Sequence, residues 1–137
     1  NIYGLKTMGA EVTLCGPSTL IPRFAEHLGV NVNYSVDEVI EWADALNVLR
    51  IQRERMQGGL LPSIREYRNL FGITSERIKK HKKEIVVMHP GPMNRGVEID
   101  STVADSDQAI ILDQVLNGVA SRMSILFLLL GGKLDEE

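Results

Sequence analysis

Three arginines stand within six residues in Leu49-Arg50-Ile51-Gln52-Arg53-Glu54-Arg55, in a chain whose formal net charge is -3. A planar guanidinium grips carboxylates or phosphates in a two-pronged geometry that a lysine ammonium cannot copy. The cluster therefore makes a local positive field suited to a small acidic molecule. Alternation along a strand puts Arg50 and Gln52 on one side, at its carboxyl end. Arg50, at the strand-to-loop junction, is the stronger ligand candidate. For Arg53 and Arg55, pairing with Glu54 or Glu66 in a solvated loop explains the pattern equally well.

The second chemical stretch is Ile85-Val86-Val87-Met88-His89-Pro90-Gly91-Pro92-Met93-Asn94-Arg95-Gly96. Its β-branched start predicts a strand buried on both faces. Pro90 and Pro92 then stop it: neither has a backbone N–H, and each drives the preceding residue away from helical geometry. The outcome is a stiff turn with exposed carbonyls, suited to accept hydrogen bonds from a ligand amine or amide. In an open parallel sheet, the carboxyl ends of strands are where ligands bind. His-Pro-Gly-Pro alone reads as a surface turn; with the strand before it and Asn94-Arg95-Gly96 after it, it reads as a site.

The elements that must position these stretches alternate along the chain. A helix is predicted from Asn1 to Met8, with Ile2, Leu5 and Met8 on one face and Gly9 ending it. Strands follow at Glu11–Cys15, Val30–Tyr34 and Ala45–Ile51, and a fourth at Ile85–Met88. Pro22 suits the first turn of a helix reaching Leu28, stopped by Gly29. Ser35 and Glu38 form a capping box opening a helix to about Ala43. Residues 52–71 are expected to be long and irregular, and beside a site such a loop reads as a lid. Thr74 or Ser75 caps a further helix ending in the basic run Lys79–Lys83, which suits a solvated C-terminus. Ser106 or Asp107 opens a helical region reaching Leu130, with a break or close packing at Gly118. Strand–helix alternation implies an α/β fold with a doubly wound parallel sheet of at least four strands, Rossmann-like, with a long C-terminal helix.

The 137 residues, 44% of them apolar, suffice for one core-bearing domain. An acidic balance with pI near 5.6 argues against a nucleic-acid partner. The lone Cys15 forms no internal disulfide and is expected to end a buried strand. His27, His81 and His89 are scattered, so no metal is called for. Nothing at the N-terminus resembles a signal peptide. The run Ile125–Leu130, apolar all round, is too short to span a bilayer, so no membrane is implied; it must be covered on every side.

Together the Arg50–Arg55 stretch, Met88–Ile99 and Asn117-Gly118-Val119-Ala120-Ser121-Arg122 resemble the catalytic chains of the bacterial aspartate carbamoyltransferase family. The resemblance runs over essentially the whole chain in family order. Ornithine-specific relatives carry a cysteine in the HPxP position and an SMG motif after the third strand; Pro90 and the absence of SMG match aspartate. The resemblance implies transfer of a carbamoyl group from carbamoyl phosphate to L-aspartate in pyrimidine synthesis, with no cofactor, in the cytoplasm. It implies that residues 1–137 form one aspartate-binding domain, a fragment whose N-terminal carbamoyl-phosphate domain lies elsewhere. Arg50 would grip an aspartate carboxylate, helped by Gln52. The carbonyls at Pro90, Gly91 and Pro92 would hold the carbamoyl amide, with the Gly91–Pro92 bond cis, and the loop 53–71 would close on substrate. Arg55 and Arg122 are further candidates, Arg122 for joining the domains or for a helix-surface ion pair.

No catalytic residue is expected in this stretch. The family's STRT-type phosphate motif, a histidine, and a lysine lent by a neighbouring subunit belong to the other half. The HSRVAR-type segment and the strand leading into it, which lies within the family's sheet, should precede Asn1. The resemblance implies a homotrimer, with regulatory chains as further partners. Two other functions fit the residues: a non-catalytic binding or assembly module, and a carbamoyltransferase for another amine.

Overall fold

The computed structural model describes residues 1–52, 54, 59–61, 63–81 and 84–131. In chain order, its elements are α1 (Ile2–Thr7), β1 (Thr13–Cys15), a 3-10 turn (Ala25–Leu28), β2 (Asn31–Asn33), α2 (Val36–Trp42), β3 (Ala45–Asn47), α3 (Ile64–Phe71), α4 (Ser75–His81), β4 (Val86–Met88), α5 (Ser101–Ala104) and α6 (Ile111–Leu129). All four expected strands form, each three residues long, and every pairing is parallel, as helical crossovers require. β3 ends at Asn47 rather than Ile51, so Arg50 and Gln52 lie beyond the strand and not on its alternating face.

The strands pair two by two. Thr13, Leu14 and Cys15 face Asn31, Val32 and Asn33, and Ala45, Leu46 and Asn47 face Val86, Val87 and Met88. Among the described residues no ladder joins β1 to β3. On the other side of β4, the Val87 N–H donates to the Gln108 carbonyl, and the Ile110 N–H donates to the Val87 carbonyl (2.8 and 3.0 Å). β4 is thus bonded on both edges, to β3 through Val86 and Met88 and to residues 108–110 through Val87.

Helix α2 shows why the core sits where it does. Ser35 Oγ accepts the Glu38 N–H at 3.3 Å, and Asn33 Oδ1 accepts the Ser35 N–H at 2.7 Å, so the helix starts where the capping box predicts. Val36, Val39, Ile40 and Ala43 then share its buried face at helical spacing and meet Leu46, Ile85, Val87, Ile99, Val103 and Ile111 in one apolar cluster. Across it, Asp37 accepts from Arg77 Nε at 3.3 Å and pairs with His81 Nε2 at 3.1 Å, tying α2 to α4. Arg77 also donates to the Gly72 and Asn69 carbonyls (2.6 and 2.7 Å), placing its cation at the C-terminus of α3, the favourable end for positive charge.

Several elements differ from the sequence expectation. Residues 64–71, expected as irregular loop, form α3: Ser63 Oγ accepts the Glu66 N–H at 3.0 Å, and Tyr67 stacks on Phe71. The helix expected from Pro22 shortens to a 3-10 turn, with Phe24 left-handed before it and Gly29 left-handed after it. The last helix opens at Ile111 without a side-chain cap and runs unbroken through Gly118, while the separate α5 precedes it. β4 is not buried on both faces: Val87 is fully buried, whereas Val86 points outward at 39% exposure. The Ile2, Leu5 and Met8 face of α1 contributes no buried residue. On α6 only Ile111 is buried, and residues 121–130 are all exposed. At 19 residues α6 is also long and apolar enough to cross a membrane, by length and composition alone.

The α2 cluster sets a stability expectation. Ile40 is 1% exposed, so Ile40→Ala should destabilise the protein by about 2–5 kcal/mol. Asp37→Asn, on a carboxylate partly open to water, should cost at most about 1 kcal/mol. Denaturant melts of the full-length variants check both; equal costs would contradict this placement of the core.

Candidate functional site

Both candidate stretches leave the same end of the β3–β4 pair. The strands run in the same direction, and the ladder continues one bond further, from the Val48 N–H to the Met88 carbonyl at 2.8 Å. Arg50 and Gln52 follow β3, and Pro90–Pro92 follows β4. The two segments are joined directly: the Asn94 side-chain amide donates to the Ile51 carbonyl at 3.1 Å. Ile51 is buried between Arg50 and Gln52, which are both half-buried.

Arg50 points its Nη1 at Glu54 Oε1, four residues along, at 2.9 Å, with 30% of its side chain exposed. Its remaining donors make no hydrogen bond to a described residue, which leaves a guanidinium edge able to receive a carboxylate. Glu54, a partner suggested by the sequence for Arg53 and Arg55, is thus in contact with Arg50. Arg53 and Arg55 lie outside the described residues. Arg122 is exposed on α6, and the helix-surface ion pair weighed for it does not form among the described residues.

The turn has the expected backbone. The Gly91–Pro92 bond is cis, and Gly91 has φ 62°, a left-handed conformation that glycine adopts without strain. A Cβ placed there would lie 3.7 Å from Val115 Cγ2, so the early part of α6 abuts the turn. Pro90 and Pro92 are both exposed.

Two buried polar residues beneath the turn were not singled out by the sequence. His89 and Glu98 are both fully buried. His89 Nδ1 accepts the Gly91 N–H at 2.9 Å, which fixes the proton of a neutral ring on Nε2; Nε2 faces Glu98 Oε1 at 3.4 Å. The same Glu98 oxygen accepts the Asn94 N–H at 2.5 Å. Burial pushes the His89 pKa below its ordinary 6.5, and the nearby Glu98 only partly opposes this. The available signal was a histidine closing an apolar strand directly before proline.

The expected lid segment is bonded to the rest of the chain at Leu60 and just beyond α3. The Thr19 hydroxyl donates to the Leu60 carbonyl at 2.6 Å. Beyond α3, the Ile73 N–H donates to the Glu98 carbonyl and the Asp100 N–H to the Ile73 carbonyl (2.9 and 3.0 Å). A Cβ on Gly72 would meet the Arg68 carbonyl at 2.6 Å and the Val97 carbonyl at 3.0 Å, so the chain is glycine there to let two backbones approach. Residues 53, 55–58 and 62 of this segment lie outside the described residues.

His89 carries a pH expectation. Because its folded pKa is lowered, the unfolded chain takes up the proton first as pH falls through 6.5. Its contribution is therefore complete above that pH and is lost below it. The charged or titratable groups facing it are Glu98 and, beside Glu98, Tyr67. Melting temperatures of the full-length protein from pH 7.5 to 5.5 should fall more steeply in the parent than in His89→Gln; parallel slopes would contradict the assignment.

Comparison with known proteins adds identity to this geometry. Residues 1–129 match the family model described as aspartate/ornithine carbamoyltransferase, Asp/Orn binding domain. The aspartate carbamoyltransferase catalytic subunit of Gemmatimonas aurantiaca is 58% identical over 97% of this chain, which spans 42% of that relative. That of Halothermothrix orenii is 53% identical over the whole chain, spanning 44% of the relative. Among solved structures, Trypanosoma cruzi aspartate transcarbamoylase in complex with carbamoyl aspartate and phosphate superposes with a TM-score of 0.69 at 28% identity, over 85% of this chain and 39% of that one. Pyrococcus furiosus ornithine carbamoyltransferase, at 20% identity and a TM-score of 0.74 over 97% of this chain and 46% of that one, shares the fold. The parallel strand pairs, the arginine at one strand end and the proline turn at the next thus sit in a chain that belongs to the aspartate/ornithine carbamoyltransferase family, as its amino-acid-binding domain.

Proposed function

We propose that this chain is the aspartate-binding part of an aspartate carbamoyltransferase. In that reaction the lone pair of the aspartate amine attacks the carbamoyl carbon. The C–N bond forms, the C–O bond to phosphate breaks with its electrons passing to phosphate, and the amine proton is released. The observation that carries the reading is the convergence of Arg50, Gln52 and the Pro90–Pro92 turn at one end of the β3–β4 pair, tied by Asn94 to Ile51. Arg50 would bind a substrate carboxylate and Gln52 would hydrogen-bond beside it. The turn carbonyls would accept the carbamoyl N–H groups, fixing the carbon against the incoming amine.

Phosphate binding and stabilisation of the developing oxyanion need donors beyond these residues. The chain spans less than half of each relative's length, and the family's other half would supply them. That half would also cover the apolar faces of α1 and α6 left exposed here. A cytoplasmic homotrimer, with or without regulatory chains, completes the reading. Acceptance of a different amine and retention of the fold without the reaction are the alternatives.

Titrating the full-length protein with aspartate and with ornithine, carbamoyl phosphate present, separates these. Turnover with aspartate alone is expected; turnover only with ornithine, or none with either, overturns the reading. Arg50→Ala should raise the KM for aspartate by about 10-fold or more, the loss of one charge-assisted hydrogen-bonded contact. Arg50→Lys should restore little of it, since the two-pronged geometry is gone. Residues 1–137 alone should show no turnover in a radiolabelled carbamoyl-transfer assay.

A further inference from the structure

Beneath the turn, Glu98 meets three other points of the chain. Its side chain accepts the Asn94 N–H and faces His89 at the end of β4. Its carbonyl accepts the Ile73 N–H at the foot of the segment carrying α3. Asn94, held by that carboxyl group, passes the connection to the Ile51 carbonyl, between Arg50 and Gln52. His89 meanwhile holds the Gly91 N–H, the centre of the turn. The turn and the Arg50–Gln52 segment are therefore linked through part-buried, directional bonds as well as by the ladder.

We propose that Asn94 is a positioning residue for the reaction, with Glu98 and His89 as its supports. It sets the register of the Arg50–Gln52 segment against the Pro90–Pro92 turn. The inference rests on the function proposed above, because only then do these segments hold two reacting molecules. Asn94 itself touches neither substrate in this scheme: its amide is used on Ile51 and its backbone N–H on Glu98. Its effect is on where Arg50 stands. A displacement of about 1 Å between groups holding two reactants is enough to slow their reaction by about 100-fold, so a single amide bond at this junction has leverage.

The full-length protein tests this with Asn94→Ala and Asn94→Asp. The second variant keeps the size of the side chain but presents carboxyl oxygens where the Ile51 carbonyl needs a donor. Both should raise the KM for aspartate and lower kcat, reducing kcat/KM by about 10- to 100-fold, with the folded fraction at assay temperature unchanged. Glu98→Gln, which retains an oxygen for the Asn94 N–H, should lose far less than Glu98→Ala. The deciding measurement is the double-mutant cycle with Arg50→Ala. If Asn94 works by placing Arg50, its removal should change the KM for aspartate less than about 3-fold in that background. Effects that multiply in full, unchanged kinetics, or a loss accounted for by unfolded protein would each overturn the inference. Activity of the parent with aspartate confirms the underlying reading independently, so the two can fail separately.

Discussion

The parallel ladder between β3 and β4 is the constraint on which the site depends. Had the strands been antiparallel, their following segments would leave opposite ends of the pair, and Arg50 and the proline turn could not stand at the same end. Parallel pairing obliges the chain to return across the sheet between the two strands, and α3 and α4 make that return. β4 is pinned from both sides, by β3 and by the Gln108–Ile110 segment, and Val87 is fully buried between them. The turn therefore starts from a strand with little freedom to shift. The apolar cluster of α2 with Leu46, Ile85 and Val87 supplies the non-directional part of this hold, and the ladder supplies register.

Polar groups placed under the turn work differently. Burying an imidazole and a carboxyl group is unfavourable unless each finds partners. Here the backbone N–H groups of Gly91 and Asn94 satisfy His89 Nδ1 and Glu98 Oε1, while His89 Nε2 and Glu98 Oε2 make no hydrogen bond to a described residue. Apolar side chains in the same space would bury more oily surface but would not select one backbone conformation of the turn. The low polarity of the surroundings that keeps His89 neutral also strengthens these hydrogen bonds. The loop foot at Gly72–Ile73 joins the same group through the Glu98 carbonyl, so the segment expected to close over substrate is rooted in the scaffold of the turn.

α1 and α6 form although their apolar faces lie open. A helix satisfies its own backbone bonds internally, and α6 is rich in Leu, a residue with high helix propensity. Strands have no such independence, because their bonds need a neighbour. Accordingly the four strands form as two pairs, each strand beside a partner, and among the described residues no ladder joins the pairs.

Much of this was legible in the amino-acid order. The apolar runs, Gly29, the Ser35–Glu38 box and the two prolines state their own conformations, because each acts over a few residues. The Ser63–Glu66 cap carries the same signal as Ser35–Glu38, yet Pro62 and Gly58-Gly59 beside it favoured a loop reading. α3 takes its definition from Arg77 bonding its last carbonyls from a later helix. The boundary between α5 and α6 was likewise obscured, since Val87 holds the Gln108–Ile110 segment extended through the strand bonds described above. The motif residues Arg50, Gln52 and Pro90–Pro92 could be picked out by type and spacing. Their nearness, the capture of Arg50 by Glu54, and the bonds from His89 and Glu98 beneath the turn could not. Conformational preference is local and is written in neighbouring residues, whereas a contact between Asn94 and Ile51 exists only once two strands far apart in the chain have chosen each other.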